Sequence, residues 1–260
     1  MIETKIMLPK PGILSGFLST IFPVRCVHCG REGNWLCPEC AAGLEATGSS
    51  ACRRCGSPAF RNAGTGDACH ECRGRRLHFR RARAAFCYQG PARSLVHRLK
   101  YSGQRRLAGF MADLTVAGAG SLTEYLKGAT LTYVPLHRSR QLDRGFNQSG
   151  LYAEALSRKL DLPLGDYLFK KRPTQSQNQL DSGSRMTNLS GSFALRRGRR
   201  RVASLGAGRL VLVDDVYTTG ATVSECAGVL KEGFGADVDV LTFARSLKRQ
   251  SLATCQKRVF

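Results

Sequence analysis

Arg209-Leu-Val-Leu-Val-Asp-Asp-Val-Tyr-Thr-Thr-Gly-Ala-Thr222 is the stretch on which the reading of this chain turns. Leu210 to Val213 is an unbroken apolar run, the pattern of a strand buried on both faces of a parallel sheet. Two adjacent acids, Asp214 and Asp215, follow it, and ligands of open α/β sheets sit beyond the carboxyl ends of such strands. Neighbouring carboxylates repel, so the pair needs partners. Vicinal hydroxyls that donate to them are one solution, at roughly 1.5–3 kcal/mol per bond to a charged acceptor. Thr218, Thr219, Gly220, Ala221 and Thr222 come next, and Gly220 allows a tight turn and the close approach of an anion. A helix expected over Ala221 to Glu232 brings unpaired N–H groups and the positive end of its dipole to that loop. Threonine and aspartate are also ordinary turn and cap residues. The whole order of strand, acid pair, Thr/Gly loop and helix nevertheless fits a ribose carrying a 5′-phosphate.

The chain has 260 residues, enough for one large domain or two smaller ones. Its formal charge is 40 − 19 = +21. Such a surplus suits a polyanionic partner, with a membrane surface as a weaker option and a solvated basic face as the bland one. The apolar stretch Ile13 to Phe22 is interrupted by Ser15, Gly16, Ser19 and Thr20. It is too short to span a bilayer and lacks a convincing cleavage site, so we expect a short helix packed on the body, no membrane insertion and a cytoplasmic location.

Eight of the eleven cysteines form four Cys-x-x-Cys pairs, Cys26/Cys29, Cys37/Cys40, Cys52/Cys55 and Cys69/Cys72. In a cytoplasmic chain this spacing reads as zinc binding in preference to disulfides or redox pairs. Two such turns complete a closed tetrahedral four-cysteine site, which is structural because catalytic zinc keeps an open position. Gly30 and Gly56 follow the first and third pairs, suggesting two consecutive sites; an interleaved pairing is the alternative. Eight thiolates against two Zn²⁺ lower the charge to about +17. His28, His70 and His78 are read as surface residues, and Cys226, inside the helix after the loop, as core.

Beyond an Arg/Gly-rich linker near Arg73 to Arg83, strands are expected at Ala82 to Tyr88, Leu131 to Leu136, Leu210 to Val213 and Val238 to Ala244. Helices are expected at Pro91 to Tyr101, Arg105 to Ala117 and Gln148 to Leu160. On the first of these, Leu95, Val96 and Leu99 form the apolar stripe, while Arg93, His97, Arg98 and Lys100 are polar. The alternation indicates an α/β fold with a mostly parallel sheet. The loop after Leu136 opens on the same edge as the Thr/Gly loop, where Arg138, Arg140 and Arg144 could meet a pyrophosphate; Phe146 is either part of that loop or core. Thr174 to Arg185 and Asn188 to Phe193 read as a polar loop, a lid or plain disorder. Arg196 to Arg201 is a nucleic-acid contact strip or a solvated basic turn.

The Arg209–Thr222 string resembles the type I phosphoribosyltransferase signature: four apolar residues, two acids, two apolar residues, then Thr-Thr-Gly-x-Thr. Phe22-Pro-Val-Arg-Cys26, the four cysteine pairs, Leu95-Val-His-Arg-Leu-Lys-Tyr101, Val134-Pro-Leu136, Arg144-Gly-Phe-Asn-Gln148 and Gln177 to Asn188 precede it in order. Over nearly its whole length the chain is similar to the ComF family, ComFC-type competence proteins. The resemblance implies a double zinc ribbon with a short N-terminal helix over residues 1–80 and a phosphoribosyltransferase-like domain over 81–260. It implies that Asp214 and Asp215 hold the ribose hydroxyls of phosphoribosyl pyrophosphate and act in catalysis, that Thr218 to Thr222 hold its 5′-phosphate, and that Mg²⁺ bridges pyrophosphate and ribose oxygens. In 6-oxopurine members an acid after the pair serves as base; here that position is Thr218, which disfavours purine salvage. The implied setting is natural transformation, with incoming single-stranded DNA and a helicase-type partner.

Overall fold

The computed structural model describes residues 23–48, 52–58, 69, 71–118, 120–172, 191–197, 209–247 and 256–257. The expected helix over 13–22, most of the polar segment over 174–193 and the arginines of 198–201 lie outside the described residues. The chain runs through helix α1 (Pro38–Ala42), strand β1 (Glu45–Ala46), β2 (Ala82–Cys87), α2 (Gly90–Tyr101), α3 (Leu107–Gly118), α4 (Gly120–Leu126) and β3 (Thr130–Tyr133). It continues through α5 (Arg138–Arg144), α6 (Gln148–Leu160), β4 (Leu168–Lys170), β5 (Phe193–Leu195), β6 (Leu210–Tyr217), α7 (Ala221–Phe234), β7 (Val238–Arg245) and β8 (Gln256–Lys257).

Six strands form one sheet in the order β3-β6-β7-β2-β1-β8, and β4 pairs with β5 in a separate two-stranded sheet. The four strands β3, β6, β7 and β2 are parallel, while β1 and β8 add antiparallel at one edge. The fold is thus α/β and phosphoribosyltransferase-like, with a cysteine-rich front end. Leu210, Leu212, Val211 and Val213 are fully buried, as a central strand covered on both faces demands. Leu95, Val96 and Leu99 bury the stripe of α2, whose Pro91 occupies the first turn, where a missing N–H is harmless. Cys226 is buried, and its thiol is pushed well up by that burial. Cys87 is disulfide-bonded, which the cysteine spacing did not signal.

Two expectations change. The strand carrying the acids runs on to Tyr217, so Asp214 and Asp215 lie within β6, where Asp214 is opposite Thr242 of β7. They are open on the other side because β3 stops at Tyr133, opposite Val213. The segment after β3 is the short helix α5 where a loop was expected. His137 caps it by accepting from the Ser139 N–H, and Gly145, at φ 75°, ends it in the left-handed conformation.

Candidate ligand site and zinc centres

A cavity of about 170 Å³ opens at the carboxyl edge of β3 and β6. Asp214, Asp215, Thr218, Gly220 and Thr222 border it from β6, the loop and the first turn of α7. Lys100 reaches it from α2, Arg140 from α5, Gln148 from α6, and Lys170 and Phe193 from the β4/β5 hairpin.

The acid pair is asymmetric. Asp214 Oδ1 accepts from the Ser149 hydroxyl at 2.7 Å and from the Asp215 N–H at 2.9 Å. Burial, and then the charge of Asp215, push the Asp214 carboxyl up to about 7. Asp215 is 4% exposed and pairs through Oδ1 with Lys100 Nζ at 2.8 Å. Its other oxygen, Oδ2, is buried without a hydrogen-bond partner, a state that costs free energy until a donor or cation arrives. Burial works against the Lys100 charge, but Asp215 and Asp214 outweigh it and raise its pKa. Across the cavity lining, burial and the neighbouring Arg140 lower the Lys170 pKa. Two cations bordering one cavity are a natural anion site.

The loop has a steric reason for its glycine. Gly220 caps α7 at φ 78°, and a Cβ there would lie 2.2 Å from the Tyr217 hydroxyl. Thr219 Oγ1 accepts from the Ala221 N–H at 3.4 Å. Thr218 is exposed and Thr222 half-buried, both on the cavity border.

Of the three arginines expected near a pyrophosphate, Arg140 alone borders this cavity. Arg138 is exposed, and Arg144 donates to Gln148 Oε1 at 3.2 Å while its guanidinium stacks 5.2 Å from the Tyr101 ring. Helical geometry turns Arg138 away from Arg140, two residues on, while Arg144, on the same side as Arg140, is engaged by Gln148 and Tyr101. The Gly-Phe-Asn-Gln segment divides its work. Phe146 is core, Asn147 caps α6 and donates to the Val134 carbonyl at 3.0 Å, and Gln148 reaches the cavity. Sequence reasoning missed Lys100 and Lys170 as site residues. Lys100 had a usable signal, a cation four residues after Val96 and hence beside the buried stripe. Lys170 had none, since β4 is three residues long.

The cysteines assemble in sequence order: Cys26, Cys29, Cys37 and Cys40 form one set, and Cys52, Cys55, Cys69 and Cys72 the other. In each set all four Sγ atoms lie within 4.8 Å of one another. Cys29–Cys37 at 3.7 Å, Cys52–Cys72 at 3.8 Å and Cys69–Cys72 at 3.7 Å match the edge of about 3.8 Å that a tetrahedron of 2.3 Å Zn–S bonds requires. The clusters therefore fit two structural zinc ions, consecutive and not interleaved. Gly30, at φ 82°, and Gly56, at φ 70°, donate their N–H groups to Cys26 and Cys52 carbonyls, both at 2.9 Å, which closes the knuckles. His28 is exposed and bonds Ser94 Oγ, and His78 lies against Gly228; neither belongs to a cluster. His70 lies outside the described residues.

Two cysteine ribbons leading into a parallel sheet, whose central strand bears an acid pair ahead of a left-handed glycine loop, define a zinc-ribbon protein with a phosphoribosyltransferase-like domain. Residues 17–87 match the family model of the double zinc ribbon domain. The chain is 31% identical over 223 residues to "DNA utilization protein YhgH" of Escherichia coli K12, covering 83% of this chain and 92% of that protein. It is 29% identical over 238 residues to "Competence protein F" of Haemophilus influenzae, covering 88% and 100%, and 27% identical over 219 residues to "Competence protein ComFC" of Bacillus subtilis, covering 81% and 84%. The chain belongs to the ComF family.

Proposed function

We propose that the cavity binds phosphoribosyl pyrophosphate with Mg²⁺, and that the protein handles single-stranded DNA in the cytoplasm during DNA uptake, beside a helicase-type partner. The observation that carries the ligand reading is the meeting of an acid pair and two cations, Arg140 and Lys170, at one cavity. The ribose hydroxyls would donate to Asp214 and to the partnerless Asp215 Oδ2. The 5′-phosphate would lie on Thr218, Gly220, Thr222 and the α7 N-terminus. Arg140 and Lys170 would face the pyrophosphate. The same unsatisfied carboxylate oxygen suits Mg²⁺, which supplies charge neutralisation while keeping waters and leaning on substrate oxygens. In a transfer, a nucleophile bonds to the ribose C1 as the C1–O bond breaks, and the electron pair leaves with pyrophosphate. Fixed cations facing that developing charge would be the main source of acceleration.

The names of the relatives, competence and DNA utilization proteins, support the DNA-uptake setting, and the +21 charge supports a polyanionic partner. Among the described residues no helix is long and apolar enough to cross a membrane. A second reading, binding without turnover, is favoured by Thr218 standing where purine-type enzymes carry their base.

Phosphoribosyl pyrophosphate with Mg²⁺ should raise the melting temperature through ligand linkage, and Asp214→Ala with Asp215→Ala should abolish the rise. A rise that survives the double substitution would sink the site assignment. Single-stranded DNA should bind with an affinity that falls steeply with salt, and salt-independent binding would remove the nucleic-acid reading. A pyrophosphate-release screen over candidate bases, with and without DNA, separates transfer from binding alone.

A further inference from the structure

The second cysteine cluster adjoins the ligand cavity, and one buried side chain joins the two. Arg245 ends β7 and is 1% exposed. Its Nη1 donates to the Cys55 carbonyl at 2.6 Å, and its Nη2 to Glu71 Oε2 at 2.6 Å and to Cys55 Sγ at 3.6 Å. Its guanidinium carbon lies 4.3 Å from the centre of the Tyr217 ring. Tyr217 is opposite Arg245 in the β6/β7 register, and its hydroxyl occupies the space that any side chain at Gly220 would need. An unbroken line of contacts thus runs from Cys55 through Arg245 and Tyr217 to Gly220, at the edge of the cavity.

The only buried guanidinium among the described residues is Arg245, and the first cluster instead shares an apolar core with the cavity border, through Val216. Cys26 and Cys37 pack with Leu36, Leu44 and Phe86, in an apolar cluster separate from the one that holds Cys52, Cys55, Cys69, Cys72, Tyr217 and Val223.

A guanidinium this deeply buried needs fixed negative partners. Glu71 is one. A zinc-loaded set of four thiolates against one Zn²⁺ is the other, and groups beyond the ligand shell that bond to a metal's ligands both orient them and are oriented by them. Without metal nothing clamps the Cys52/Cys55 turn to the Cys69/Cys72 turn, so Arg245 loses the fixed Cys55 carbonyl and sulfur that hold it beneath Tyr217. We propose that Arg245 is a positioning residue: it holds Tyr217 against Gly220 and makes the affinity of the cavity depend on the metal in the Cys52/Cys55/Cys69/Cys72 set, and not on that in the Cys26/Cys29/Cys37/Cys40 set. The inference rests on the ribose-phosphate reading of the cavity. By thermodynamic reciprocity, occupancy of the cavity must tighten metal binding at the second set by the same factor.

The test uses the full-length zinc protein and ribose 5-phosphate as the probe. Zinc release to a chromogenic chelator is followed with and without the probe, and probe affinity is measured by calorimetry. For the wild type, one of two zinc equivalents should be retained more tightly when the probe is present. Arg245→Gln should keep two zinc ions, weaken the probe about tenfold, an ordinary coupling between sites, and lose the protection; Arg245→Lys should restore part of both. Glu71→Gln leaves all eight cysteines in place, and its affinity and zinc protection should fall in the same direction, so it carries the test should Arg245→Gln not fold. Unchanged probe affinity in these variants, or a probe that protects both zinc ions or neither, overturns the inference while leaving the cavity reading intact. A wild-type protein that does not bind ribose 5-phosphate overturns the cavity reading, and the inference with it.

Discussion

Replacing Asp214 with Asn should make the ligand-free protein more stable above neutral pH. The folded chain holds this carboxyl at about 7, through burial and then the adjacent Asp215, against an ordinary 3.8. Between those two values the folded state keeps a proton that the unfolded chain has released. Stability therefore falls as pH rises from about 4 to about 7 and stays reduced above it. A displacement from 3.8 to about 7 corresponds to about 4 kcal/mol against the ionised form. Asp214 keeps some exposure toward the cavity, so solvent relieves part of that, and about 2–3 kcal/mol is expected. Asn retains the Oδ1 that accepts from Ser149 and from the Asp215 N–H, so the local bonds survive. The gain should appear at pH 8 as a rise of roughly 5–10 °C in melting temperature and shrink toward pH 5, where the native carboxyl is itself neutral. Urea unfolding followed by circular dichroism at several pH values measures it, and the difference between variant and wild type cancels the zinc contribution. A variant no more stable than wild type at pH 8, or a difference that does not change with pH, would refute the argument.

Two further outcomes concern other parts of the fold. Asp239, fully buried, holds Arg80 at 2.8 Å, Arg81 at 3.2 Å and Arg209 at 3.1 Å; Asp239→Ala should destabilise by about 3 kcal/mol in urea titration, because three guanidiniums lose their common partner. Burial alone would raise the Asp239 pKa, but Arg80 and Arg81 hold it below the ordinary value. Its contribution is thus complete above about pH 4 and is lost as pH falls through the depressed value. Gly220→Ala should cost about 1–3 kcal/mol from the forced backbone and the clash with Tyr217, and should abolish the thermal response to ribose 5-phosphate. A stable variant with an intact response would remove the steric role of this glycine.

The α/β class, the positions of the core strands along the chain, the cysteine pairs and the acid pair before a glycine loop were all legible in the residues. Each rests on local rules. Apolar runs bury, Cys-x-x-Cys turns present two thiolates to one metal, and only glycine tolerates the turn that Gly220 makes. The sequential pairing of cysteines was suggested by Gly30 and Gly56 and is what the geometry adopts. What lay beyond reach were contacts between residues far apart in the chain. Lys100 is 115 positions before Asp215, and Glu71 is 174 before Arg245. Arg245 itself ends an apolar strand with nothing nearby to mark it. The three arginines of α5 looked equivalent because a composition has no direction; in the fold Arg140 borders the cavity while Arg144 is held by Gln148 and Tyr101. Local chemistry determined which groups this protein carries and which ligands they suit. Only the folded sheet, by bringing remote side chains within hydrogen-bond reach, decided which of them meet: an acid with its lysine, and a zinc ribbon with the loop of the cavity.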